Sequence, residues 1–335
     1  NIDDPSAYFQ TALYAGNGST QSITNDGNSN LQPDWIWTKS RSDTSFHLVT
    51  DSTRGTTKRI YPNSTAAEET HSNMVTAFNS DGFSIGNHSA INTNGYNYVA
   101  WQWKANGGTT SSLSNTGPDS VVQVNSDAKF VIGTYTGNGS NSNVKHGLGE
   151  TPDMLIVKRR TGGTGAWAVW HKDLTTGYWL RLDDLMAQAS GVWDGLNPQS
   201  EKFFITGGSS NVNISGSDYV FYAWKSVQGY SKFGSYVGNG SVDGPFVYTG
   251  FKPALVICKR IDSTNDWGIV GSKRETYNGA TKTLFADLTN AESSTYTVDL
   301  LSNGFKPSSN HSIFNQSGGS YIYMAFAENP FTTST

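Results

Sequence analysis

Three stretches of the chain carry one apolar pattern: 94-NGYNYVAWQWKA-105, 215-SGSDYVFYAWKS-226 and 317-SGGSYIYMAFAE-328. In each, alternate positions are large and apolar: Val99, Trp101 and Trp103; Val220, Tyr222 and Trp224; Ile322, Met324 and Phe326. The positions between them include Tyr98 and Ala100, Tyr219 and Phe221, Tyr321 and Tyr323. A period of two is that of a strand, whose successive side chains point to opposite faces. Because both sets are largely apolar, the pattern predicts a central strand covered on both sides, with no wet face.

Other phrases recur around this strand in a constant order. Tyr-x-Gly-Asn-Gly-Ser starts at Tyr14, Tyr135 and Tyr236. A proline, a short apolar run and a lysine follow as 33-PDWIWTK-39, 152-PDMLIVK-158 and 253-PALVICK-259, which read as buried strands entered from a proline. Then come 44-TSFHLVTDS-52, 165-GAWAVWHKD-173 and 265-NDWGIVGSK-273, and after them 78-FNSDGFSIG-86, 200-SEKFFITGG-208 and 300-LLSNGFKPS-308. The Asp-Gly and Asn-Gly in the last set are hairpin signals. A threefold internal repeat of this kind predicts three copies of one β-unit.

The expected fold is therefore all-β, with three tandem β-sandwich, jelly-roll-like units of roughly 100 residues each, a size sufficient to fold alone. The boundaries fall at 1–107, 128–228 and 229–335, with 108–127 as a Gly/Ser/Thr-rich linker that leaves the first unit free to pivot. A single core shared by all three units, as in a small propeller, is the alternative. Short helical turns are expected at 65-TAAEET-70 and 289-TNAESS-294, where Thr can cap and Glu stands three residues on.

Composition supports the class. Aromatics make up 13% of the 335 residues and charged residues only 15%, which suits short strands joined by polar turns. A net charge of −4 and the lack of a Lys/Arg block argue against nucleic acid as a partner. No apolar run is long enough for a transmembrane helix. The single cysteine, Cys258, sits in an apolar run and reads as a core residue.

Candidate chemistry is sparse. The six histidines lack metal-site spacing, adjacent carboxylates such as Asp183-Asp184 point to opposite faces of a strand, and neither a nucleophile elbow nor a phosphate loop occurs. No cofactor, metal or catalytic residue is expected. Asn17-Gly18, Asn138-Gly139 and Asn239-Gly240 read as structural turns of type I′, although with the following serine they also match the glycosylation sequon, as do Asn213 and Asn315. Tyr178, Trp179 and Trp193 lie outside the clearest repeat positions and are the candidates for stacking on a sugar or other surface ligand.

Taken in order, "NIDDPSAYFQTALYAGNGS", "DSTRGTTKRIY", "SDGFSIG", "YVAWQWKA", "HGLGETPDMLIVKRR" and "GYSKFGSYVGNGSVDGPFVYTGFKPALVICKR" resemble a repeat family of tailed-bacteriophage virion proteins, common in phages of marine bacteria and cyanobacteria. The resemblance runs over nearly the whole chain. It implies a non-enzymatic, β-rich tail fibre or spike-like protein located in the virion. The implied partners are other virion proteins and a host-surface glycan or protein, with homo-oligomerisation, a trimer by class. A capsid-attached fibre or decoration protein, a secreted adhesin or lectin, and a polysaccharide depolymerase are the alternatives. The resemblance brings no site residues with it.

Overall fold

The computed structural model describes residues 1–275 and 277–330; the last five residues of the third expected unit lie outside them. The fold is all-β and antiparallel, with two four-residue helices, Ser89–Asn92 and Ser312–Asn315. Each interval between repeated phrases builds the same four-strand arrangement. In the first interval the spatial order is Phe9–Ala15, Asn97–Trp103, Trp35–Ser40 and Leu48–Asp51. The second has Phe130–Thr136, Asp218–Trp224, Met154–Arg159 and Ala168–His171, and the third Ser231–Val237, Ser320–Phe326, Leu255–Arg260 and Gly268–Gly271. The strand with two apolar faces, last in sequence, thus inserts between the first two strands of its unit.

One face of each main sheet packs against a smaller sheet of its own unit. These small sheets are Gln21–Ile23, Phe83–Ile85 and Val75–Phe78; Ser142–Lys145 and Lys202–Ile205; and Val247–Tyr248, Gly304–Pro307 and Val298–Leu301. Tyr98 and Ala100, Tyr219 and Phe221, and Tyr323 belong to these private cores. The architecture is sandwich-like to this extent.

The other face of each main sheet is where the expected organisation changes. Val99, Trp101, Trp103, Val220, Tyr222, Trp224, Ile322, Met324 and Phe326 all enter one core common to the three units. Rings cross every unit boundary: Trp35 lies 4.8 Å from Tyr222, Phe9 lies 5.4 Å from Phe326, and Trp224 lies 6.4 Å from Phe233. Three self-contained sandwiches would leave these indoles wet, and burying a large side chain is worth about 1.5–3 kcal/mol. The shared core removes that cost and packs the first unit against the other two. The stretch expected to be a linker is also structured: Ser111–Leu113 and Ser120–Asn125 extend the second main sheet, with Val122 buried against the second private core. Val122 and Val124, two residues apart on one face, are a strand pattern hidden behind a Gly/Ser/Thr-rich composition.

Neighbouring units are stitched by one repeated device, and it closes into a ring. Between units one and two, Glu68 N–H donates to Arg160 O (2.9 Å) and Gly165 N–H to Thr65 O (3.0 Å). Between two and three, Gln188 N–H donates to Ile261 O (3.0 Å) and Asn265 N–H to Leu185 O (2.8 Å). Between three and one, Glu292 N–H donates to Arg41 O (3.0 Å) and Ser45 N–H to Thr289 O (2.9 Å). The helical turns expected at 65–70 and 289–294 are therefore extended segments, because the backbone groups a helical turn would use are bonded to the next unit. Local capping signals are worth only about 1 kcal/mol and lose to these contacts.

Candidate functional site

The repeated turn has a defined structural task. In each copy a buried asparagine of the same unit grips it: Asn92, Asn213 and Asn315 accept through Oδ1 from the N–H of Asn17, Asn138 and Asn239, each at 2.8 Å. Their amides donate in return to Asn17, Asn138 and Asn239 Oδ1 at 3.0–3.2 Å. The first glycine of the phrase is dictated by packing: a Cβ at Gly16, Gly137 or Gly238 would collide with the carbonyl of Thr93, Ile214 or Gln316. The second glycine adopts positive φ, +69° at Gly18, +76° at Gly139 and +69° at Gly240. The preceding asparagines do not, so the turn is not type I′. Instead, each asparagine Oδ1 accepts from the serine N–H two residues on, at 2.8–3.0 Å. The tyrosine that opens the phrase stacks on the closing strand, with ring centroids 4.9–5.1 Å apart in Tyr14–Tyr98, Tyr135–Tyr219 and Tyr236–Tyr321. Asn213 and Asn315, which match the sequon, are buried and not available for modification in the folded chain.

The lysine ending the second repeated phrase is likewise structural. Lys39, Lys158 and Lys259 are buried, and burial pushes each ammonium down to about 8. Carbonyls hold it: Lys158 Nζ donates to Thr65 O (3.1 Å) and Gly165 O (2.8 Å), and Lys259 Nζ to Leu185 O (3.2 Å) and Asn265 O (2.7 Å). An indole reinforces two of the junctions, Trp167 Nε1–H donating to Tyr61 O and Trp267 Nε1–H to Arg181 O, both at 2.7 Å. His47 replaces it at the third. Its Nδ1 accepts from Trp37 Nε1–H (2.9 Å), which leaves Nε2–H to donate to Phe285 O (2.9 Å). Burial keeps this imidazole neutral by pushing its pKa well below the ordinary value.

Residues 4–330 match the model of a domain of unknown function, DUF7483. The chain belongs to the DUF7483 family. No curated protein and no solved structure matches it.

Of the three residues proposed for ligand contact, this DUF7483 chain separates one from the other two. Trp193 is fully buried in the second private core, near Phe203, and has no surface to offer. Tyr178 packs against the shared core. Trp179, next to it, packs in part against the second private core on the opposite face and also lines an open cleft of about 390 Å³ together with Arg181, Met186, Ser210, Asn211 and Thr65. Thr65 comes from the first unit, so the cleft lies at a junction. Arg181 is paired with Asp183 (2.7 Å) and Asp184 (3.1 Å), which raises its pKa although burial alone would lower it. An indole beside a guanidinium, an amide and hydroxyls suits a shallow, hydroxyl-rich ligand. Sequence reading could not find Thr65, since it comes from another unit, whereas Arg181 shares Trp179's face of one strand.

A second cavity of about 660 Å³ lies where the N-terminal segment meets the connections leading into the second and third units. Asp3, Asp4, Asp127 and Glu150 line it with Lys129, which pairs with Glu150 at 2.8 Å, and Tyr8 O–H donates to Asp127 at 3.3 Å. Among the described residues no group of three His, Cys, Asp or Glu is placed to hold a metal ion. Cys258 is buried, which pushes its thiol up to about 12 and leaves it unreactive at neutral pH.

Proposed function

We propose that this chain is a non-enzymatic structural protein of a tailed-bacteriophage virion, fibre- or spike-like, that meets the host surface. The observation carrying this reading is the closed ring about one aromatic core, which makes three sandwich-like units a single rigid body without a disulfide. Such a body suits an extracellular particle that must present short polar turns and shallow clefts in fixed positions. The resemblance of its repeated phrases to phage virion proteins supports the same reading. Trp179 and Arg181 supply the contact surface, with a host-envelope glycan as the partner.

Reconstruction of purified phage particles, with antibody against this chain as a label, tests the proposal. Density and label on a fibre, spike or other appendage are expected. Label confined to the envelope of uninfected cells would overturn the reading in favour of a secreted adhesin or lectin. On the same protein, Trp179→Ala is expected to weaken binding to host-envelope glycans about tenfold or more, since aromatic contact residues dominate such surfaces.

A further inference from the structure

The three small sheets expose equivalent edges, and the chain treats each edge differently. Ile23, Val144 and Val247 occupy the same place, each paired with the phenylalanine of its neighbouring strand: Phe83, Phe203 and Phe305. The residues flanking them point outward. In the first unit these are Ser22 and Thr24, small and polar. In the second they are Asn143 and Lys145, whose carbonyls are already taken. Asn115 donates its amide to Asn143 O (2.6 Å), and Ser120 O–H donates to Lys145 O (2.7 Å). In the third they are Phe246 and Tyr248, 49% and 64% exposed, with no backbone partner on that side among the described residues.

The segment leading into this edge is also rich in exposed apolar side chains. Of ten exposed large hydrophobic side chains among the described residues, four fall within 237–248: Val237, Val242, Phe246 and Tyr248. Val237 stands where the other units have Ala15 and Thr136 in register. An edge left open and aromatic where its two siblings are polar or capped is a template for strand addition.

We infer that this edge pairs with the same edge of a second copy of the chain. The geometry selects that occupant. A twofold axis through Val247 sets Phe246 of one protomer opposite Tyr248 of its partner, and the reverse. The outward N–H and C=O groups of these residues then exchange four hydrogen bonds, the pattern of antiparallel pairs. The same operation stacks each phenylalanine beside a tyrosine, a favoured cross-strand pair. No like charges meet at the centre, because Phe246, Val247 and Tyr248 are neutral and the nearby Asp243 is paired with Lys306 within its own protomer. Pro245 limits the paired segment to about three residues, so the association is weak and depends on concentration.

Sedimentation of the whole chain from micromolar to millimolar concentration tests this inference. A reversible dimer is expected, with amide exchange slowed at Phe246 and Tyr248 as the dimer fills. Phe246→Asn with Tyr248→Lys, which installs the second unit's residues, is expected to weaken the dimer about tenfold or more while leaving the unfolding temperature unchanged. A monomer throughout the range would overturn it. So would a dimer unaffected by the double substitution, or one that leaves these amides unprotected.

Discussion

Two of the three junctions hold an Arg–Glu–Arg triad and the third has uncharged residues in its place, yet all three have the same backbone geometry. Between units one and two, Glu68 is held by Arg54 (2.9 Å) and by both arms of Arg160 (2.9 and 3.0 Å). Between three and one, Glu292 is held by Arg274 (2.8 Å) and both arms of Arg41 (3.0 and 2.9 Å). At the corresponding places between two and three stand Leu174, Gln188 and Ile261, so all three members of the triad have changed together. The core around each triad differs to match. Arg54 reaches Asp51 (2.6 Å), which also accepts from Tyr222 O–H (2.7 Å), and Arg274 lies over the Trp101 ring. Leu174 simply joins the shared core. The comparison shows that the charged triad is not required to close the ring. Desolvating such a triad offsets much of its attraction, so an apolar replacement of similar volume can serve as well. Removing one member is a different matter, because it strands the others in the interior.

The largest expected effect follows from that asymmetry. Glu68→Ala leaves Arg160 and buried Arg54 short of a partner and should cost about 3–5 kcal/mol in denaturant unfolding. Converting the whole site to the neutral type, with Arg54→Leu, Glu68→Gln and Arg160→Ile together with Asp51→Asn to avoid an orphaned carboxylate, should be near neutral or stabilising. If the full conversion costs as much as the single change, the equivalence of the two junction types is wrong.

Next in size are Trp167→Phe and Trp267→Phe, each leaving one carbonyl, buried at Tyr61 and part-buried at Arg181, without its donor. Each should lower stability by about 1–3 kcal/mol, and by similar amounts, since the indole bond is common to charged and neutral junctions. A calorimetric comparison of the two variants would expose any difference.

The smallest effect is in the pH dependence. Burial raises the pKa of Glu68 and Glu292, but their arginines outweigh it and hold both carboxyls below the usual value. The stability they contribute is therefore fully present above the unfolded-state pKa of about 4.5 and is lost as pH falls through the lower folded value. Gln188 contributes no such dependence. Glu68→Gln with Glu292→Gln should flatten the acid limb of a stability profile, whereas Gln188→Ala should leave its shape unchanged.

Much of this was legible in the chain. The period-two pattern with two apolar faces identified the closing strand and implied cover on both sides. The Gly-Asn-Gly-Ser phrase was legible as a turn, though its grip by Asn92, Asn213 and Asn315 was not, because those residues lie about 75 positions away. Trp193 and Trp179 look alike in sequence. Their different burial depends on which strand packs above each. The segment 111–125 was obscured because its turn-rich composition outweighs a few alternating valines in any local reading.

The sequence by itself determined the all-β class, the threefold recurrence of its phrases and the closing strand of each unit, since these rest on local periodicity and on glycine's backbone freedom. Only the tertiary structure decided what covers the second apolar face. A pattern of alternating side chains states that a face must be buried, but not whether a partner sheet, another unit or another copy buries it. That choice depends on contacts between residues far apart in the chain: Trp35 on Tyr222, Arg160 on Glu68, Arg41 on Glu292. Those contacts turn three tandem units into one ring.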